Sequence, residues 1–215
     1  MGGSTVSDTT AITQERANGG KTWEQYVESG IRNRELFEDN YKGLTVSAEQ
    51  TAKLKALAAK HNGPHHLVVI GEDWCPDVYR GLGVAQRLAE AAGIQLRMFE
   101  RDQNKDMIQG YLKEGQFESI PVYVFYDKDH NELAHFIERP KLANTEMHLT
   151  QAVLGDMTPA GIAKRLGHEP TEEELAAERG KAREKYLDWQ KGPVWANWRV
   201  AAVDECIGLL EQATS

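Results

Sequence analysis

Glu72-Asp73-Trp74-Cys75-Pro76-Asp77-Val78 is separated by one glycine from the apolar run His66-Leu67-Val68-Val69-Ile70 and leads into a helix-forming segment. A buried strand that turns directly into a helix sets Cys75 at the helix N-terminus. Unpaired backbone N–H groups and the positive end of the helix dipole gather there. Both favour a thiolate, so the position predicts a Cys75 pKa below the free value of ~8.5. Asp77 pulls the other way, because a nearby carboxylate disfavours a second negative charge. Pro76 suits the first helical position, where its missing N–H costs nothing.

Working outward, residues 64–140 read as mixed α/β. Strands are expected at 67–70, 95–99, 122–126 and 133–137, and helices at 76–92 and 106–114. The turn Asp127-Lys128-Asp129-His130-Asn131 makes the last two strands a hairpin, which completes the order βαβαββ. Residues 21–63 carry helical signals. Thr22-Trp23-Glu24-Gln25 and Ser47-Ala48-Glu49-Gln50 read as capping boxes, and Trp23, Tyr26, Val27 and Ile31 fall on one face. Beyond Lys141 everything reads helical. Thr158-Pro159 and Thr171-Glu172-Glu173-Glu174 open helices, the second stops at Gly192-Pro193, and a last helix spans about 194–212. Four regions result: a disordered arm over 1–20, an N-terminal helical extension over 21–63, the α/β domain over 64–156, and a helical extension over 157–215 packed on the same unit.

The 215 residues carry a net charge of −8, which argues against a nucleic-acid surface. No apolar run approaches the ~20 residues of a membrane span. The N-terminal twenty residues lack a secretory h-region, and Val6 stands where a myristoylation signal at Gly2 needs Ser or Thr. Two widely spaced cysteines, Cys75 and Cys206, do not make a disulfide framework, so a reducing, cytoplasmic setting is expected. Cys206 shares a helical face with Trp195, Ala202, Leu209 and Leu210 and reads as inert core rather than a partner for Cys75.

Four features in order carry a family resemblance: the strand-Trp74-Cys75-Pro76 turn, the second strand ending at Arg101-Asp102-Gln103-Asn104, Ser119-Ile120-Pro121 before the third strand, and the closing hairpin. Together they resemble the thioredoxin-like superfamily over residues 64–140. The resemblance implies an α/β thioredoxin-like fold with a central mixed sheet and, here, helical extensions at both ends. It also implies that Pro121 is cis and lies against Cys75, and that the Ile120 backbone pairs with extended peptide substrates. Two departures stand out. Val78 replaces the second, resolving cysteine, and Val69 stands where such proteins keep a buried acid.

A monothiol mechanism is the expected chemistry. Cys75 is the catalytic candidate, while Trp74, Pro76, Asp77, Ile120 and Pro121 are the substrate-binding candidates. No metal or resident cofactor is implied, although glutathione or another low-molecular-weight thiol fits as co-substrate. The partners expected are protein or small-molecule thiols and disulfides, with no nucleic acid and no membrane, and a homodimer remains open. A redox-inactive binding module using the Trp74/Pro121 cleft is the alternative. A glutathione transferase-like enzyme is a second one, disfavoured because some sixty residues precede the core.

Several other residues are candidates at lesser weight. His61, His65 and His66 cluster before the first strand without zinc-site spacing. Glu72 and Asp73 read as solvated loop carboxylates. Arg80 reads as a surface residue, or else a binder of an anionic group such as a glutathione carboxylate. Gly81 and Gly83 signal either close packing or a helix break. Trp189, Trp195 and Trp198 read as packing for the helical extension, or as an exposed dimer surface.

Overall fold

The computed structural model describes residues 12–215. Residues 1–11, most of the expected N-terminal arm, lie outside the described residues. The remainder of that stretch is ordered, contrary to expectation. Ile12 is buried, Thr13 caps α1 (Gln14–Asn18), and Lys21 exchanges backbone hydrogen bonds with Met98 at 2.7 and 2.9 Å. That bridge covers the outer edge of a sheet strand, which would otherwise expose unpaired backbone groups.

Helices α2 (Trp23–Glu28), α3 (Arg34–Lys42) and α4 (Ala48–Ala58) follow. Thr22 with Gln25 and Ser47 with Gln50 form complete capping boxes. Ile31 does not share the buried face of α2, because that helix ends at Glu28. Asn33, in a left-handed conformation with φ 58°, starts α3 with no side-chain cap. Then come β1 (His66–Gly71), α5 (Pro76–Ala92) and β2 (Gln95–Glu100). Where one helix was expected over 106–114 there is only α6 (Lys105–Ile108) and a 3-10 turn, Gln109–Tyr111. The chain then doubles back through Gly115, φ +71°, with Lys113 N–H donating to Phe117 O at 2.8 Å. Strands β3 (Val122–Tyr126) and β4 (Glu132–Ile137) close the sheet.

The sheet order is β2-β1-β3-β4, with β1 parallel to β2 and antiparallel to β3, and β3 antiparallel to β4. This is the βαβαββ core with a mixed sheet that the pattern predicts. Leu67 pairs with Leu96 and Phe125, so the two central strands are buried on both faces and read as continuous apolar runs. Asp127 shapes the hairpin turn, its Oδ1 accepting the N–H groups of Asp129 and Asn131 at 2.9 and 2.8 Å.

The described residues form two compact units. The first runs to Arg139 and includes Ala202–Ser215; the second is Pro140–Ala201. The first therefore joins the N-terminal helices and the sheet. The second unit contains α7 (Lys141–Thr145), α8 (Met147–Leu154), α9 (Pro159–Leu166), α10 (Glu172–Trp189) and the start of α11 (Pro193–Ala213). Within it the Trp189, Trp195 and Trp198 rings meet edge-to-face or tilted, with centroids 5.5–5.9 Å apart. Trp195 and Trp198 are buried, and the Trp198 indole donates to Glu146 at 2.7 Å, so these rings are core rather than an exposed surface.

Helix α5 is unbroken, and its two glycines permit close packing. A Cβ on Gly83 would fall 2.7 Å from the Tyr41 backbone nitrogen, and one on Gly81 would fall 2.7 Å from Pro121 Cγ. Backbone cannot give way as a flexible side chain can. Gly83→Ala should therefore destabilise the protein by about 1–3 kcal/mol through overpacking. Urea denaturation with unchanged m-value would show it; a loss under about 0.5 kcal/mol would mean that α3 yields freely.

Candidate functional site

Cys75 occupies the N-cap of α5 in an extended conformation, with Pro76 at the first helical position. Its side chain caps nothing. Sγ instead lies 3.9 Å from the Ile120 carbonyl oxygen, a weak S–H contact, and the Ile120–Pro121 peptide is cis. The cysteine is part-buried and unpaired, as is the fully buried Cys206. Of the candidates, the structure thus brings Cys75, Pro76, Asp77, Ile120 and Pro121 to one place.

Trp74 stands at the rim, 47% exposed, with the Arg101 guanidinium 5.5 Å from its ring centroid. Arg101 also reaches Asp102 at 2.7 Å and Glu118 at 3.8 Å, and Glu118 accepts from Gln109 at 2.8 Å. Phe117 is 55% exposed on the loop that leads to Ile120. It is a second exposed large apolar side chain, one that the sequence pattern did not single out.

Of the two carboxylates before the thiol, Glu72 is withdrawn from solvent and Asp73 is half-buried. Glu72 is buried and its Oε1 accepts the Asp102 N–H at 2.7 Å. Burial pushes its pKa up, the Asp102 N–H and Arg101 oppose, and the charges of Asp102 and Asp73 add to the rise. Asp73 ties the thiol loop to the α2–α3 connection: its Oδ2 accepts the Arg32 N–H at 2.7 Å, and its carbonyl accepts from Asn33 Nδ2 at 3.0 Å.

Arg80 is no surface residue; it is 2% exposed and donates to Asp77 Oδ1 at 2.5 Å. Arg139 meets the other oxygen of Asp77 at 3.0 Å and also pairs with Glu138, which in turn pairs with Lys113 at 2.5 Å. None of these last three was legible as a site residue. Lys113 lies on the loop before β3 and Glu138 and Arg139 lie just past β4, and only the sheet register brings Arg139 back beside Asp77. Val78, in place of a second cysteine, is buried against Gly71, where a Cβ would come within 2.7 Å of its Cγ1.

These surroundings reverse the expected sign of the thiol's shift. Burial pushes the Cys75 pKa up and Asp77 pushes it further. The N–H groups of Val78 and Asp77 and the charge of Arg80 oppose without prevailing. Elsewhere, His65, His66 and His130 line up ring to ring at 6.2 and 6.3 Å, with His66 held below the usual imidazole range by burial first and by its histidine neighbours. Among the described residues no three His, Cys, Asp or Glu side chains converge as a metal site, and no helix is long and apolar enough to cross a membrane.

Two titrations check these environments. Alkylation of Cys75, resolved by peptide mass, should keep rising with pH beyond ~8.5, the free-thiol value; a plateau below that value would contradict the burial argument. Glu72 is raised in the folded state, so its contribution to stability is complete below the unfolded value of ~4.3 and is lost as pH rises through the folded one. Glu72→Gln, still able to accept from Asp102, should gain stability relative to the parent between pH 4 and pH 7. An unchanged difference in denaturation free energy across that interval would refute the shift.

Comparison with known proteins bears on the fold. A search of curated proteins found no match. A crystal structure of a protein of unknown function from Pseudomonas aeruginosa is similar at 18% identity with a TM-score of 0.57, over 92% of this chain and 95% of its own. An HIV epitope-scaffold is similar at 18% identity and a TM-score of 0.56, over 92% and 96%. At such identities the likeness is one of fold. A family model described as thioredoxin matches residues 20–153. That span takes in α2 to α4, the whole sheet and α5, not the short thiol turn alone, and the chain belongs to the thioredoxin family.

Proposed function

We propose that Cys75 performs monothiol thiol–disulfide exchange, with an external low-molecular-weight thiol such as glutathione completing the cycle. The observation that carries this reading is the placement of a part-buried, uncapped thiol at the start of α5, 3.9 Å from the Ile120 carbonyl. An extended substrate lying along residues 119–121 would present its disulfide to that sulfur. The Cys75 thiolate attacks one substrate sulfur, forms a mixed disulfide and releases the other sulfur as a thiolate. The external thiolate then attacks the substrate sulfur of the mixed disulfide, forming a new disulfide and returning Cys75 as thiolate. Val78 leaves no neighbouring thiol to do this internally. Trp74 shields one side of the adduct, and Pro121 sets the substrate backbone. A thiol raised by burial is a scarcer thiolate but a stronger nucleophile, so exchange stays feasible and accelerates toward alkaline pH.

The raised Cys75 and the buried Val78 favour one other reading, a redox-inactive module that holds a partner peptide between Trp74 and Ile120-Pro121. The discriminating experiment is glutathione-dependent turnover of a peptide–glutathione mixed disulfide. Cys75→Ser should abolish turnover, lowering it at least a hundredfold, while Cys206→Ser leaves it intact. Turnover indistinguishable from the uncatalysed exchange in the parent protein would reject the monothiol cycle and leave the binding module.

A further inference from the structure

Asp77 is the only acidic residue in the first turn of α5, and both of its oxygens are taken: Arg80 holds Oδ1 at 2.5 Å and Arg139 holds Oδ2 at 3.0 Å. Arg80 is locked in the interior on the same helix. Arg139 comes from the far side of the hairpin, just past β4, and its side chain is also mostly buried. Its position is fixed twice over. Its N–H donates to Ile137 O at 2.9 Å, and Glu138, whose N–H donates to Pro121 O at 2.7 Å, pairs with its guanidinium. The arginine that steadies Asp77 is thus mounted on the same short stretch that bonds Pro121, opposite the thiol.

We propose that Arg139 is a positioning residue for Cys75: by holding the Oδ2 oxygen of Asp77 it restrains and offsets the negative charge beside the sulfur, and so sets how readily the thiolate forms. The proposal rests on Cys75 being the functional thiol. The charge of Asp77 does reach the sulfur, in the direction that disfavours ionisation. The other groups facing this cluster are Arg80 on α5, Tyr123 on β3, Glu138 beyond β4, Lys113 on the loop before β3 and, deeper, Cys206 on α11. Tyr123 donates to Gly81 O at 2.5 Å and is raised far above the ordinary phenol range by burial first, so it stays neutral throughout the working pH range. Glu138 is held below the usual carboxylate range by Lys113 and Arg139 against the effect of burial, and stays charged. Asp77 is therefore the acidic group through which Arg139 acts on the thiol.

The test is a double-mutant cycle read by the pH dependence of Cys75 alkylation with iodoacetamide in the full chain. It does not depend on disulfide turnover, so its outcome is separate from that of the exchange assay. Arg139→Met should slow alkylation at pH 7 by about threefold or more and move the midpoint upward; Arg139→Lys should restore most of the rate. Asp77→Asn should move the midpoint downward, and in its background Arg139→Met should change the rate by less than about 1.5-fold. Thermal melts and the protection of Cys206 from alkylation establish that each variant is folded. The proposal is overturned if folded Arg139→Met titrates like the parent. It is equally overturned if its effect is as large without the Asp77 carboxylate, because Arg139 would then act on the sulfur directly. If Arg139→Met does not fold, Arg139→Lys and Asp77→Asn decide it: an unshifted Asp77→Asn midpoint rejects the coupling.

Discussion

The close approach of α5 to its neighbours is the constraint on which the site depends. Without side chains at Gly81 and Gly83, the helix can press one flank against Pro121 and Tyr123 and the other against the backbone of α3. The Tyr123 hydroxyl then reaches the Gly81 carbonyl at 2.5 Å. Side chains at these positions would force α5 and its neighbours apart, and the first turn would be disturbed with them. Cys75, at the helix start, keeps its place against Ile120 only because the body of the helix is pinned. Each glycine weakens the helix intrinsically by up to about 1 kcal/mol relative to Ala, a cost that the packing offsets.

The same close fit decides the contest over the thiol's charge. A helix N-terminus offers about 0.3–1 kcal/mol to an anion, and up to ~2 in favourable geometry. Desolvation can move a fully buried group by several pKa units at about 1.4 kcal/mol each. Part-burial of the helix start strengthens the second effect more than the first, and the Asp77 carboxylate reinforces it. Arg80 and Arg139 keep that carboxylate from standing alone in the interior, where an unpaired charge is costly. Burial of the sulfur and stability of the ion cluster are thus two consequences of one packing arrangement.

Local signals in the sequence carried much of this fold, and long-range ones carried little. The capping boxes at Thr22, Ser47 and Thr171 depend on residues three apart, and all are present in the structure. The limits of α5 follow from Pro76 at its start and Gly93, in the left-handed region, at its end. By contrast, α3 begins at an Asn33 that caps nothing, so no residue announces it. The burial of Glu72 requires an N–H from Asp102 across the sheet, and the pairing of Asp77 requires Arg139 from beyond the hairpin. No spacing rule connects such residues before the sheet register is known. Thus the placement of Cys75 at the start of α5 could be read in advance, but the groups around it that shift its ionisation could not.

Val78 illustrates how the two levels meet. In sequence it is simply the missing second thiol. In the structure its side chain fills the space above Gly71 and beside Met98, where a Cβ on that glycine would lie within 2.7 Å of Val78 and 3.2 Å of the Met98 methyl. The position belongs to the core between α5 and the end of β1, and β-branched bulk is suited to it. A cysteine there would be smaller and fully buried, with its own ionisation disfavoured by the same desolvation that raises Cys75. Val78 therefore consolidates the first turn of α5 as a packing residue. Among the described residues Cys75 is the one thiol that is not fully buried.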